Sequence, residues 1–311
     1  MSGRVTLPGA AIFCVVAVAW LVFGTSTAWG AGDGVNPVTI QVGVATDVLL
    51  DVSPKDVRTV FDVWVRELAK EEGAVAEIRS LFLEDSAAMA AAIQRNEVDL
   101  VLLPTLDFLQ LQRQETPIEP VRVGIAARTS LDAQLLLVHR ESLPQGLAGL
   151  SGKRLLVQPG AVGSLSRLWL DTVLAKQGLP ESEHFFGQIR HGMRISQVVL
   201  PVFFRQAEAA VVKEASFLTV GEMNPQVSRD VVVLARSPAL VHGIVGFNTQ
   251  IAAGPRRLLT NGMQRMSTSA AGRQILTIFR INQLAPYESS QLVNVVEMVR
   301  YRAALHAGRR P

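Results

Sequence analysis

The chain has 311 residues, 49% hydrophobic and 18% charged, with a formal net charge of +3. That length can bury one large or two medium cores, and so small a charge excludes the basic stripe of a nucleic-acid binder. A single cysteine, Cys14, excludes a small disulfide-stapled scaffold.

Met1–Thr6 carries one base, Arg4, ahead of an apolar run from Ala10 to Phe23 and a small-residue stretch, Gly24–Ala31. This order reads as a secretory signal over residues 1–30, with the small-x-small pattern of Ala28 and Gly30 placing cleavage after Gly30. The alternative is an uncleaved anchor, for which the run falls short of the roughly 20 residues a span needs. Phe13 before Cys14 argues against lipid attachment. The mature chain would lack cysteine and be held by its own core, as suits a periplasmic protein.

Val38–Val44 reads as a strand, and Pro54–Lys70 as a helix whose apolar positions share one face. Val75–Leu83 is a second strand, and Ser86 can cap an alanine-rich helix running to Arg95. Val98–Leu103 has the apolar run of a buried parallel strand, and a helix resumes over Leu106–Gln114. Strands follow at Val121–Ala127 and Ala133–His139. A second unit then opens with strand Arg154–Gln158, helix Ser164–Gln177, strand Phe185–Arg190, helix Ile195–Gln206 and strand Ala209–Lys213. Val231–Ala235 is a further strand, and the chain from Pro255 onward reads as mostly helix. One layout appearing twice predicts two α/β lobes, each a doubly wound sheet, with a cleft between them. The expected division is 36–129 with 237–311 for the first lobe and 130–236 for the second.

Ligands of open α/β sheets sit beyond the carboxyl ends of the strands. That rule selects Thr46 and Asp47 after the first strand, Thr105 after the third, and Lys213 and Ser216 after Ala209–Lys213. If Asp107 only caps the helix beginning near Leu106, its removal would affect stability and leave affinity alone. In Val157–Arg167 (VQPGAVGSLSR) a strand meets a helix N-terminus, where Gly163, Ser164 and Ser166 offer donors to an anion; Ser164 can equally be an N-cap. The segment matches neither a Walker loop nor a dinucleotide fingerprint. His191, between Arg190 and Arg194, is a donor from the second lobe or a surface histidine. The five histidines form no HExxH pattern and there is no GxSxG elbow, so neither an enzyme nor a cofactor or metal is expected. Asp47 would repel an anion unless it meets an amine.

Ile40–Val44, Ala88–Leu102 (AMAAAIQRNEVDLVL), Leu150–Val157, Pro159–Ser164 and Val198–Val212 together resemble the periplasmic solute-binding proteins of ABC transporters, in the phosphate/phosphonate-binding-like group. The resemblance implies a two-lobed, type II-like periplasmic binding fold that closes on a small oxyanion such as phosphate, phosphonate or phosphite. It also implies delivery to a membrane permease, and it places oxygen contacts on Gly163, Ser164, Ser166 and His191. The chain departs from the group's pattern at Thr46–Leu50, at Asn96-Glu97 and at Ala207–Ala210. A sensing domain that contacts a membrane sensor kinase is the alternative role.

Overall fold

Alternation builds the first strand. In β1 (Val38–Ala45) Ile40, Val42 and Val44 are buried toward one side, while Gly43 and Ala45 face the other. This computed structural model describes residues 38–49, 52–73, 75–125 and 132–308, and the expected leader, 1–30, lies outside them. Helix α1 (Pro54–Glu71) starts at Ser53, whose side chain accepts from the Asp56 N–H, and it buries Val57, Phe61, Trp64, Val65 and Leu68 along one stripe. β2 (Ala76–Leu83) pairs parallel with β1. Before α2 (Ser86–Gln94) the cap is Asp85, not Ser86: its carboxylate accepts from the Ala88 N–H at 2.7 Å. β3 (Leu100–Pro104), α3 (Thr105–Arg113) and β4 (Ile118–Ile125) complete the first run.

The chain then crosses to a second sheet made of β5 (Gln134–His139), β6 (Arg154–Val157), β7 (Gln188–His191), β8 (Ala209–Lys213) and β9 (Val231–Arg236). Between these lie α4 (Gly160–Lys176), the short α5 (Ser182–Phe185), α6 (Ile195–Phe203), α7 (Glu214–Met223) and α8 (Pro225–Asp230). A second crossing returns to the first sheet as β10 (Gly243–Asn248), followed by α9 (Ala253–Arg265), α10 (Ala270–Ile278), β11 (Gln283–Pro286) and α11 (Val293–His306). The two crossings touch through an antiparallel bridge between Asp132 and Leu240.

The strand orders are β11-β4-β10-β3-β1-β2 and β7-β6-β8-β5-β9. Each sheet is covered on both faces by apolar clusters, giving two three-layer lobes. The parallel strands follow the expected winding, but β5 and β10 run antiparallel to both neighbours. The reason is geometric. A chain that leaves one sheet at its carboxyl edge enters the next from the cleft side, so the entering strand must run backward. Their amino ends therefore lie at the cleft, beside the carboxyl ends of β1, β3, β6 and β8.

Two further differences bear on the site. Helix α4 begins at Gly160, four residues before the expected Ser164. Gly160 at φ +69° makes the turn out of Pro159, and a Cβ on Gly163 would sit 2.2 Å from the Gln158 carbonyl oxygen. The last helix also spans the lobes: Val295 and Met298 pack into a second-lobe cluster, while Val296, and Leu292 just before the helix, pack into a first-lobe cluster.

Candidate functional site

A cavity of about 280 Å³ opens where the strand ends of both sheets meet. Its polar lining comes from six places. Asp47 follows β1, Gln158 follows β6, and Lys213 and Ser216 lie at the end of β8 and the start of α7. Asp132 and His242 precede the reversed strands β5 and β10, and Arg280 follows α10.

The two histidine-side crossings are tied by hydrogen bonds. Thr105, fully buried, donates its hydroxyl to the Val241 carbonyl at 2.8 Å, and its N–H reaches the His242 carbonyl at 3.2 Å. Ser166 Oγ lies 2.8 Å from both Gln134 Oε1 and the Val162 carbonyl. With its oxygen on Ser166, the Gln134 amide turns its Nε2 toward His242 Nε2, 2.6 Å away. Burial, aided by the nearby Lys213 charge, pushes the imidazole down to about 3, so it is neutral at physiological pH.

Lys213 is also pulled down by burial, with Asp132 opposing that shift and Arg280 adding to it. Burial raises Asp132, while the Ala215 N–H and the Lys213 charge hold it back. Asp132 Oδ2 and Gln158 Oε1 are buried with no hydrogen-bond partner among the described residues. Two acceptors without donors thus stand beside an ammonium and a neutral imidazole, in a mouth that carries two cations and two carboxylates.

Of the residues selected from sequence, Asp47, Lys213 and Ser216 line this cavity. Thr46 adjoins Asp47 in a 3₁₀ turn but is not part of the lining. Thr105, Gly163 and Ser166 are buried beside it and hold its walls. Because α4 starts at Gly160, Ser164 falls in the second turn on the exposed face, and the turn presents Ala161 and Val162 to the cavity instead of hydroxyls. His191 is exposed at the end of the edge strand β7. Asp107 makes no cap bond; burial raises its carboxyl, with Asp47 and Asp85 adding to the shift. Asp132, Gln158 and His242 were not selected. Gln158 was visible as a strand end, whereas the other two precede strands and escape a rule built on carboxyl ends.

Among the described residues there is no group of three or more His, Cys, Asp or Glu placed to hold a metal, and no helix long and apolar enough to cross a membrane. Residues 47–292 match the family described as ABC transporter, phosphonate, periplasmic substrate-binding protein. The chain belongs to that family. It is a substrate-binding family that serves ABC transport, and the two-lobed architecture agrees with it. A binding protein component of an ABC phosphonate transporter from Pseudomonas aeruginosa is similar in structure, with a TM-score of 0.61 at 14% identity over 88% of this chain and 89% of that one. PhnD1 from Prochlorococcus marinus, solved with methylphosphonate, gives 0.57 at 17% identity over 86% and 99%. The periplasmic aliphatic sulphonate binding protein SsuA from Escherichia coli gives 0.54 at 12% over 87% and 94%. At these identities the likeness establishes the fold alone. A sequence comparison with curated proteins finds no match.

Proposed function

We propose that this chain is a non-catalytic periplasmic receptor that captures a small monoanionic solute in the cleft and hands it to an ABC permease. The observation that carries the reading is the meeting of Lys213 and His242 with Gln158 and the first turn of α4 at one cavity between the sheets. Lys213 supplies the charge, the imidazole a neutral donor, and the helix start a positive dipole end. Asp47 and Asp132 balance Lys213 and Arg280, which disfavours a dianion and favours one negative head accompanied by a hydrogen-bond donor, such as an amino-bearing phosphonate or carboxylate. That donor would satisfy Asp132 Oδ2 and Gln158 Oε1.

The reading includes two lobes divided near residues 130 and 236, joined by the two crossings, with α11 packing on both. Residues 1–30 would be removed on export, so amino-terminal sequencing of the protein from a periplasmic extract should begin at Ala31. A start at Met1 would return the leader to the role of an anchor.

Calorimetry against methylphosphonate, an aminoalkylphosphonate, ethanesulfonate, phosphate and a neutral sugar tests the ligand class. Binding of a phosphonate or sulfonate in the micromolar range supports it, and binding of the sugar alone sinks it. A permease and ATPase encoded beside the gene would favour uptake over signalling to a sensor kinase.

A further inference from the structure

The cavity does not end at its polar mouth. It continues into the first lobe, between the sheet and the helices that cover it, where its walls are Leu102 of β3, Trp64 of α1, Met263 and Met266 at the end of α9, and Ile275 and Phe279 around α10. These residues belong to, or pack against, one apolar cluster of that lobe. One face of the first core is therefore hollow. Interiors otherwise pack with few voids larger than a water molecule, and an empty one forfeits contacts.

Two independent details agree. Leu102 keeps partial exposure in the middle of an interior strand although its neighbours Val101 and Leu103 are 0% and 1% exposed. Sheet neighbours on both sides leave the chamber as the way a solvent molecule can reach it. Trp64 is 1% exposed and its indole N–H has no partner among the described residues. The wall also includes two methionines, the side chains best able to reshape around an apolar guest.

We infer that the solute is an amphiphile, with a single negative head at the Lys213 end and an alkyl tail of several carbons inside the first lobe. This rests on the anion reading above and names its substrate class. Head and tail then meet the two chemically different ends of one cavity, and a one-carbon phosphonate leaves the inner end empty.

The test is calorimetry of the purified exported protein with methyl-, butyl- and hexylphosphonate and with 1-hexanol, repeated on Leu102→Phe, which narrows the inner end. The expected result is affinity rising roughly three- to four-fold per methylene, with binding heat capacity becoming more negative along the series. Leu102→Phe should flatten that dependence, weakening hexylphosphonate far more than methylphosphonate. The chain-length series on the unmodified protein decides the matter even if the variant folds poorly. Equal affinity for methyl- and hexylphosphonate overturns the tail and leaves the anion reading standing. Hexanol binding that Leu102→Phe abolishes, with no phosphonate bound, supports the chamber and overturns the anion head. No binding by any of the four overturns both.

Discussion

Lys213 and Ser164 separate a ligand contact from a helix-surface residue. Lys213→Met removes a charge-assisted donor from the mouth, which costs about 1.5–3 kcal/mol of binding, or roughly ten- to more than a hundred-fold in dissociation constant. Ser164→Ala, on the exposed face of α4, should change neither affinity nor melting temperature measurably; calorimetry and thermal melts on both variants check the pair. His242 makes a pH prediction of definite sign. Its folded pKa, about 3, lies below its ordinary value near 6.5, so the unfolded chain takes up the proton first. Its contribution is fully present above about pH 6.5 and is lost as pH falls toward 3. The slope is at most about 1.4 kcal/mol per pH unit, and smaller to the extent that the ring's edge on the cavity is hydrated. Burial-raised carboxyls such as Asp132 and Asp107 act in the opposite sense. The quantity to measure is therefore the difference in urea stability between the protein and His242→Gln across pH 4–7. A difference that does not vary with pH would refute the assignment.

The start of α4 is where element geometry and site geometry are the same thing. Gly163→Ala places a Cβ 2.2 Å from the Gln158 carbonyl oxygen, so the helix must move off the strand end that also carries Gln158 into the cavity. Overpacking of this kind costs about 1–3 kcal/mol, and binding should weaken along with stability; unchanged affinity in a folded variant would detach the turn from the site. This element also marks the limit of reading by sequence. Strand β8 is found residue for residue from its apolar run, and α1 to within one residue from its apolar stripe. The Gly160 φ that begins α4 early left no periodicity to detect, so the hydroxyls were assigned to a turn that the backbone had already passed. β10 was missed for another reason. Its glycines at Gly243 and Gly246 interrupt the apolar pattern, and with that strand went its direction and the position of His242 just before it.

At the scale of the whole chain, the two lobes are coupled by the paired crossings and by α11, whose Val295 is fully buried in a second-lobe cluster and whose Arg302 reaches Asp171 at 3.7 Å and Glu181 at 3.5 Å. Unfolding in urea should therefore be a single transition. Val295→Asp introduces an unpaired carboxylate into that cluster, so it should lower the midpoint of the second lobe and split the curve in two. A variant that still unfolds in one step at the original midpoint would show that α11 does not couple the lobes. The packing of α11 on the second lobe has no signature in its own sequence, because its faces pack on both. One property of this architecture bears on how closure can be watched. The chain's one cysteine, Cys14, precedes the described residues, which begin at Val38, and Ser164 stands on the outer face of α4 beyond the cavity-lining Ala161 and Val162. Ser164→Cys thus provides a unique surface thiol in a chain truncated before Val38, and a polarity-sensitive dye attached there converts solute capture directly into an optical signal.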